Sequence, residues 1–558
     1  MVCRVCTLVV EMTIVVSTRL ILSCYVIIST LEFSQLQSLF NEDDFRCEER
    51  RFSRMVDRLE INHEKIKALE TQISSVDLKN QHNTEQNNVR ISKLEENVQR
   101  LTNKTDTEQN NVRISKLEEK VNSLTNKTDS VRLMGREFYL VYPPLFVDDG
   151  HSYCVLYVVS IGAGSCNVAL PLLNKSHTLE LKHGENQLFL PASYMALENQ
   201  VEGKGVHIEC DVFVNVYAAK HDRYTKIVFL VLPIHFRFHY EYRYVPSIQP
   251  NPVSESRAYL YNSTLSIVSS GDHNIVQIKL NVTEEGAIHI RGQDYAYNES
   301  IQLTMNKYES VVISNSMDLT GSTISSIDPI SVATGNKCGR LNDSYACNGM
   351  NFVIPVDNSR DITGYDTEHG FITPFFASFV RGYKVRIVST RPDYRLQYRL
   401  GHEDKLETIF VQSDYIDIDV DSNIPVYIRT SRFVSVTVIT PGKCNTDGIG
   451  TAFMLYIPDQ RALLTEYHFA VPDLNTTSFI TVIDRNVSNI RLDDKTIDGE
   501  RKTIYDINAN PFEVVALAIQ TGYHVVRNIL QEPFSLYVYG KQKPNLGYGY
   551  VAGFKIEK

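Results

Sequence analysis

The most constraining feature of this chain is a change of hydrophobic period at Arg132. Before that residue apolar side chains recur in steps of three and four. After it they alternate in short runs bounded by Gly, Pro, Asn and Asp: EFYLVYPPLF, YCVLYVVS, KIVFLVLP, SVVISN, YKVRIVST, PVYIRT and FVSVTVIT. A period of two with no intervening helical pattern is what packed antiparallel sheets require. The predicted fold class is therefore an all-β head of tandem antiparallel β-sandwich-like modules, preceded by an α-helical coiled-coil stalk. Pro511–Gln520 is the one stretch of the head that reads as a weak helix.

The stalk is expected over 48–130. Phe52, Met55, Leu59, Asn62, Ile66, Leu69, Ile73 and Val76 trace a heptad seam with one polar layer at Asn62. A tandem repeat follows at 84–106 and 107–129, identical at 20 of its 23 positions. Ile91, Val98, Ile114 and Val121 fall at position a, and Leu94, Leu101, Leu117 and Leu124 at d, a choice that favours a parallel dimer. Arg90 and Glu95, then Arg113 and Glu118, occupy g and e, where they can pair between chains. Because 23 is not a multiple of seven, the seam should lose phase near Asn87-Asn88 and Asn110-Asn111. A single solvated amphipathic helix is the alternative.

Residues 1–31 read as a signal peptide or signal anchor. Leu20–Leu31 is the clean apolar run, with Arg19 as its positive flank and Met12 as a possible start; an anchor would use 13–31. Cys3 and Cys6 lie inside this leader and carry no redox reading. Nine N-x-[ST] sequons, at Asn103, Asn126, Asn174, Asn262, Asn281, Asn298, Asn342, Asn475 and Asn486, add to an expectation of a secreted, glycosylated, extracellular protein. Past the leader stand seven cysteines, an odd number that predicts three bridges in the head and leaves Cys47 for an interchain bond at the start of the stalk. Of the head cysteines, Cys154, Cys166, Cys210 and Cys444 allow three pairings, Cys154 with Cys166 being the most local.

Turn-then-strand segments recur at 210–218, 326–334 and 421–429, with Val214/Val216, Ile330/Val332 and Val426/Ile428 in matching places. That spacing suits a β-sandwich module, though a propeller or other closed sheet satisfies the alternation too. The predicted modules are 133–245, 246–355, 356–445 and a C-terminal one at 446–558.

The blocks KGVHIECDVFVNVYA, DLTGSTISSIDPISVATGNKCGR, CNGMNFVIP, AFMLYIPDQRALLTEYHF and GYHVVRNILQ…FSLYVYG…YGYVAGF, in that order, resemble the IgGFc-binding protein N-terminal domain family over nearly all of 133–558. The resemblance implies a secreted, non-enzymatic protein of mucus or extracellular surfaces that takes part in adhesion or defence. Together with their short spacing around GRLNDSYA, it also implies a bridge between Cys338 and Cys347.

No G-x-S-x-G, Walker loop or complete H-E-x-x-H is present; His63-Glu64 lies in the stalk and His402-Glu403 has no second histidine in reach. His235 and His239 stand four apart on an expected strand, roughly 13 Å by strand rise, too far to share a metal. The weak calcium candidate is Asp417, Asp419 and Asp421, with Asp414 preceding, but Ser422 and Ile428 stand where a calcium loop needs Gly and Glu. Arg291-Gly292-Gln293-Asp294 is not an adhesion tripeptide. Neither an enzyme nor a cofactor is predicted. A net charge of −10 without a Lys/Arg cluster argues against nucleic acid. Expected partners are a second copy through the stalk and an extracellular protein or glycan ligand through the head, with a membrane only if the leader stays uncleaved. The reading is an oligomeric extracellular recognition or adhesion protein; the alternative is a structural component of mucus, cuticle or coat.

Overall fold

The computed structural model describes residues 134–555 except 145–149, 222–224, 235–239, 243–244, 251–261, 283–286, 297–298, 340–347, 354–367, 378–380, 390–393, 402–406, 412–414, 442–451 and 543–545. The expected leader, stalk and Cys47 lie outside the described residues, as do Asn103, Asn126, Asn298, Asn342, Cys347, Cys444, His235, His239, His402 and Asp414.

Every strand pairing is antiparallel, and the helices among the described residues are single 3-10 turns such as Pro171–Leu173 and Gln460–Ala462. The alternation seen in sequence becomes alternation of burial: Ser300–Met305 points every second side chain into the core. Pro511–Gln520 is corrected. Its residues form the strand Pro511–Ile519, paired with Glu500–Tyr505 on one side and Thr477–Asp484 on the other. Glu, Ala and Leu here carry helix propensity, but Phe512, Val514, Val515 and Ala516 are buried between a hairpin neighbour and the sequence-distant Thr477–Asp484, and that pairing outweighs local preference.

Four β units follow one another along the chain. The first is a seven-stranded sheet built on the 16-residue strand Val206–His221. The first half of that strand lies between Gly135–Leu140 and Gly164–Leu170, and the second half between Tyr153–Ser160 and Lys226–Val231. The second unit pairs a five-stranded with a four-stranded sheet, the third two four-stranded sheets, and the fourth a four-stranded with a five-stranded sheet. The three repeated segments read from the sequence enter Val206–His221, Ile330–Gly339 and Val426–Thr430, each flanked on both sides within its own sheet. Pairing also crosses the expected module limits: Val201–Glu202 joins Ser310–Asn315, and Met454–Ile457 joins Ser435–Ile439.

The units close on themselves. The last strand of the first unit, Lys226–Val231, packs against the last strands of the second, Asn348–Val353, and of the fourth, Leu546–Val551. Met454–Ile457 of the third completes the circuit by packing against both of those. One continuous apolar core runs from Phe138 to Phe554 as a result. The junctions are bonded as well as packed. Tyr217 donates to the Ala552 carbonyl (2.7 Å) and packs its ring, tilted, 5.1 Å from that of Tyr550, joining first to fourth; Tyr539 accepts from Ala377 N–H (2.6 Å), joining fourth to third. Asn199 exchanges bonds with the Ser314 backbone, joining first to second.

Third and second units meet at Arg386. Its Nε and Nη2 grip the two oxygens of Asp417, each at 2.8 Å, while Nη1 donates to Asp318 (2.6 Å), Thr320 (2.7 Å) and the Ser247 carbonyl (2.8 Å). The guanidinium is buried; its Nε and Nη2 hold Asp417 of its own unit, and its Nη1 is the group that reaches across the junction to the second.

Asp484 is the buried acid without a cation. Burial, with Glu532 nearby, pushes its carboxyl up to about 6, against bonds from Arg485 N–H and Asn528 Nδ2 that favour the ion. A carboxyl whose folded value is raised contributes stability below its unfolded value and loses it as pH rises through the folded one. Asp484→Asn should therefore gain on the wild type by about 2 kcal/mol between pH 4 and pH 7 in paired denaturant titrations. A gap that stays constant with pH would refute the assignment.

Candidate recognition surface

The acidic run offers no open cation site. Asp417 is bound by Arg386 and lies 3.3 Å from Lys384 Nζ, and Asp419 pairs with the same lysine at 2.8 Å. Burial alone would raise the Asp417 carboxyl; the Arg386 bonds and charge outweigh it and hold it below its ordinary value. Two of the three carboxylates are thus already neutralised by protein cations, and the strand Tyr415–Ser422 points them at a neighbouring strand. No cluster able to hold a metal occurs among the described residues. Arg291 pairs with Glu309 (3.1 Å) and Asp294 with His289 (2.8 Å), flanking a two-residue hairpin turn at Arg291-Gly292 with φ of 52° and 78°.

The cysteines follow strand register. Cys166 stands directly opposite Cys210, with Cα atoms 4.1 Å apart, and the two are bonded. Cys154 is opposite Leu190 and Lys220 instead, so it has no cysteine to meet: it is a free thiol, buried, with burial pushing its pKa up. This corrects both the local pairing with Cys166 and the expectation that all six head cysteines are bridged. Cys338 is disulfide-bonded, while its expected partner Cys347 lies outside the described residues. Among the sequons, Asn174, Asn281, Asn475 and Asn486 are exposed. Asn262 is half-buried, its Nδ2 donating to Ser314 Oγ at 3.1 Å, so the nitrogen that a glycan would need is occupied.

Where first and fourth units meet, Glu466, His468 and Tyr523 form a carboxylate–imidazole–phenol chain with both links at 2.6 Å. Nε2 of His468 donates to Glu466 and Nδ1 accepts from Tyr523 when the ring is neutral. Burial, then the Glu466 and Asp493 charges, push the Tyr523 phenol up to about 12. A phenol held in its protonated form is a hydrogen-bond strut rather than a nucleophile.

The outer face of the third unit is different in kind. Tyr394–Leu400 buries Tyr394 and Leu396, which turns Arg395, Gln397 and Arg399 outward. Directly opposite residues of an antiparallel pair share a face. Arg395 is thus beside Phe410 and Gln397 beside Thr408 on the edge strand Glu407–Val411, and Gln397 is beside Arg429 on Val426–Thr430. Phe410 is 62% exposed, the share of a large ring left to water on an otherwise polar sheet edge. Among the described residues Glu368 is the acid that reaches this array, pairing with Arg429 and lying 3.7 Å from Arg395. Arg399 has no ion pair among the described residues, and its Nε is buried without a hydrogen-bond partner. Gln397 Nε2 donates to Thr408 Oγ1 at 3.3 Å, keeping the amide in the plane of the face. An exposed guanidinium, Arg395, is thus set with the partly buried Arg429 and Arg399, an amide, a hydroxyl and a ring on one strand face of a chain whose net charge is −10. The polar alternation of Arg395, Gln397 and Arg399 was visible in YRLQYRL, but Arg429 and Phe410 join it only through pairing.

Comparison with known proteins places this face inside a recognised region. The sequence model of a family described as IgGFc binding protein matches residues 228–540. A curated protein of Homo sapiens named IgGFc-binding protein is 20% identical over 244 residues, which cover 44% of this chain and 4% of that relative. The chain therefore corresponds to a small part of the length of that relative.

Proposed function

This chain belongs to the IgGFc-binding protein family, and from that premise we propose that it is an extracellular binding protein whose β head recognises ligands on surfaces or in mucus through the outer face of its third unit. The observation that carries the reading is the exposure of Phe410 beside Arg395, Gln397, Arg399 and Arg429 on one sheet face within the family match. Interfaces draw on aromatic and arginine side chains because each buries much area while making directed polar contacts. The leader and sequons read from the sequence support an extracellular setting, and the expected stalk, sealed at Cys47, would multiply weak contacts by effective concentration. The protein acts by binding rather than by turnover.

The test compares full-length wild type with an Arg395→Glu/Phe410→Ser variant on a surface coated with purified mucus glycoprotein. Saturable binding that the variant loses by on the order of 100-fold is expected, since an arginine and an aromatic anchor each carry ~1–2 kcal/mol or more. Equal or unsaturable deposition of both proteins would favour a passive structural component instead.

A further inference from the structure

The geometry points to a sulfated polysaccharide as the ligand of the third unit's outer face, a statement that rests on the recognition reading above and gives it a chemical class. A guanidinium offers a planar fork of donors that matches the oxygens of a sulfate and sheds its hydration more readily than an ammonium. Among the described residues the face holds three of them and no lysine: the exposed Arg395 and the half-buried Arg399, four residues apart on one strand, hence about 13 Å by strand rise, and Arg429 on the next strand opposite the midpoint Gln397. The array is flat and extended along the sheet, so it suits a chain bearing anionic groups at intervals rather than a single small ion.

The remaining residues favour a sugar over other polyanions. Gln397 and Thr408, joined to each other, present amide and hydroxyl groups that exchange hydrogen bonds with sugar hydroxyls. Phe410, at the edge of the same face, offers a ring on which the apolar side of a pyranose can rest. Duplex nucleic acid is read by a helix or ribbon inserted in a groove and held by many phosphate contacts, and a flat face with three arginines supplies neither.

Glu368 is the internal competitor. Its carboxylate pairs with Arg429 and approaches Arg395, occupying donors that a sulfate would take. Ligand binding must displace it from at least one arginine, so removing its charge should strengthen binding. If the face were not the binding site, removing this one charge would leave the affinity for a sulfated chain nearly unchanged, and if Glu368 served only to hold the arginines in place, its loss would weaken binding.

Full-length protein is passed over immobilised heparin at physiological ionic strength, with chemically desulfated heparin, hyaluronan and polyglutamate as soluble competitors. Retention that heparin competes and desulfated heparin and hyaluronan do not is expected, weakening as salt is raised. Arg395→Gln/Arg399→Gln should lower affinity by on the order of tenfold or more, Phe410→Ser should lower it too, and Glu368→Gln should raise it by about threefold. Circular dichroism of each variant confirms that the head remains folded. Absence of retention, equal retention of the double variant, or a Glu368→Gln that weakens binding would overturn the proposal. Competition by polyglutamate as strong as that by heparin would overturn it in favour of an acidic peptide. Failure here with mucus-glycoprotein binding still lost in Arg395→Glu/Phe410→Ser would remove the sulfated ligand and leave the recognition reading standing.

Discussion

Arg386→Ala is expected to cost the head on the order of 3 kcal/mol, because it removes a buried guanidinium and leaves two half-buried carboxylates without their shared cation. Asp417 and Asp318 come from different units and both reach the same guanidinium, at 2.8 and 2.6 Å. Without it, each must be desolvated and unpaired or the junction must open to water. The Thr320 hydroxyl and the Ser247 carbonyl lose a partner in the same step. Lys384 still lies beside Asp417 and moderates the loss on that side, whereas Asp318 has no such neighbour among the described ion pairs. Arg386→Lys should recover little, since a single ammonium cannot satisfy two carboxylates, a hydroxyl and a carbonyl together. Replacing Arg386, Asp417 and Asp318 together with Met, Leu and Asn should recover most of it, as removal of a whole buried network costs far less than removal of one member. Urea titrations followed by tyrosine fluorescence read these differences; an Arg386→Ala midpoint within error of wild type would show that the junction is wet or dispensable.

Tyr550→Ala is expected to loosen the first unit as much as the fourth. The Tyr550 ring is buried in the closing strand Leu546–Val551, 5.1 Å from Tyr217 and 6.0 Å from Tyr548, with its hydroxyl donating to the Ala470 carbonyl. Truncating such a side chain typically costs ~3–5 kcal/mol. What distinguishes closure from a string of independent modules is where the cost appears. Tyr217 sits in Val206–His221, the strand shared by both halves of the first unit, and it is tied to Ala552 as well as packed against Tyr550. Hydrogen exchange should therefore rise in Tyr153–Ser160 and Val206–His221 together with Leu546–Val551, and wild-type unfolding should be a single transition. Faster exchange confined to the fourth unit would mean that the ring is not energetically closed.

The fold class was legible because a period of two survives burial. Runs such as Tyr153–Ser160 and Ser310–Asn315 remain recognisable as strands even where nearly every position is buried, being short, rich in β-branched residues and bounded by turns. Pro511–Ile519 was misread because its Glu, Ala and Leu content is a local signal and its strand state depends on partners nearly 40 residues away, such as Ile480 opposite Leu517. The repeated segments located strands that sit centrally in three of the units, but nothing local announces that Lys226–Val231, Asn348–Val353, Met454–Ile457 and Leu546–Val551 meet. Cysteine spacing left three pairings open, with Cys154–Cys166 the most local, whereas register places Cys166 opposite Cys210 and Cys154 opposite Leu190. The acidic run drew notice as a cation site because its carboxylates are close in sequence, while Lys384 and Arg386, which neutralise Asp417 and Asp419, are about thirty residues earlier. The outer face escaped notice for the converse reason: Arg395, Phe410 and Arg429 are each ordinary surface residues until two strand pairings set them side by side.

The most direct test of recognition through that face is hydrogen exchange of the full-length protein, alone and with saturating purified mucus glycoprotein. The account expects protection concentrated in Tyr394–Leu400, Glu407–Val411 and Val426–Thr430, with the first unit unchanged. Protection centred on another unit, with these three strands exchanging as in the free protein, would contradict it.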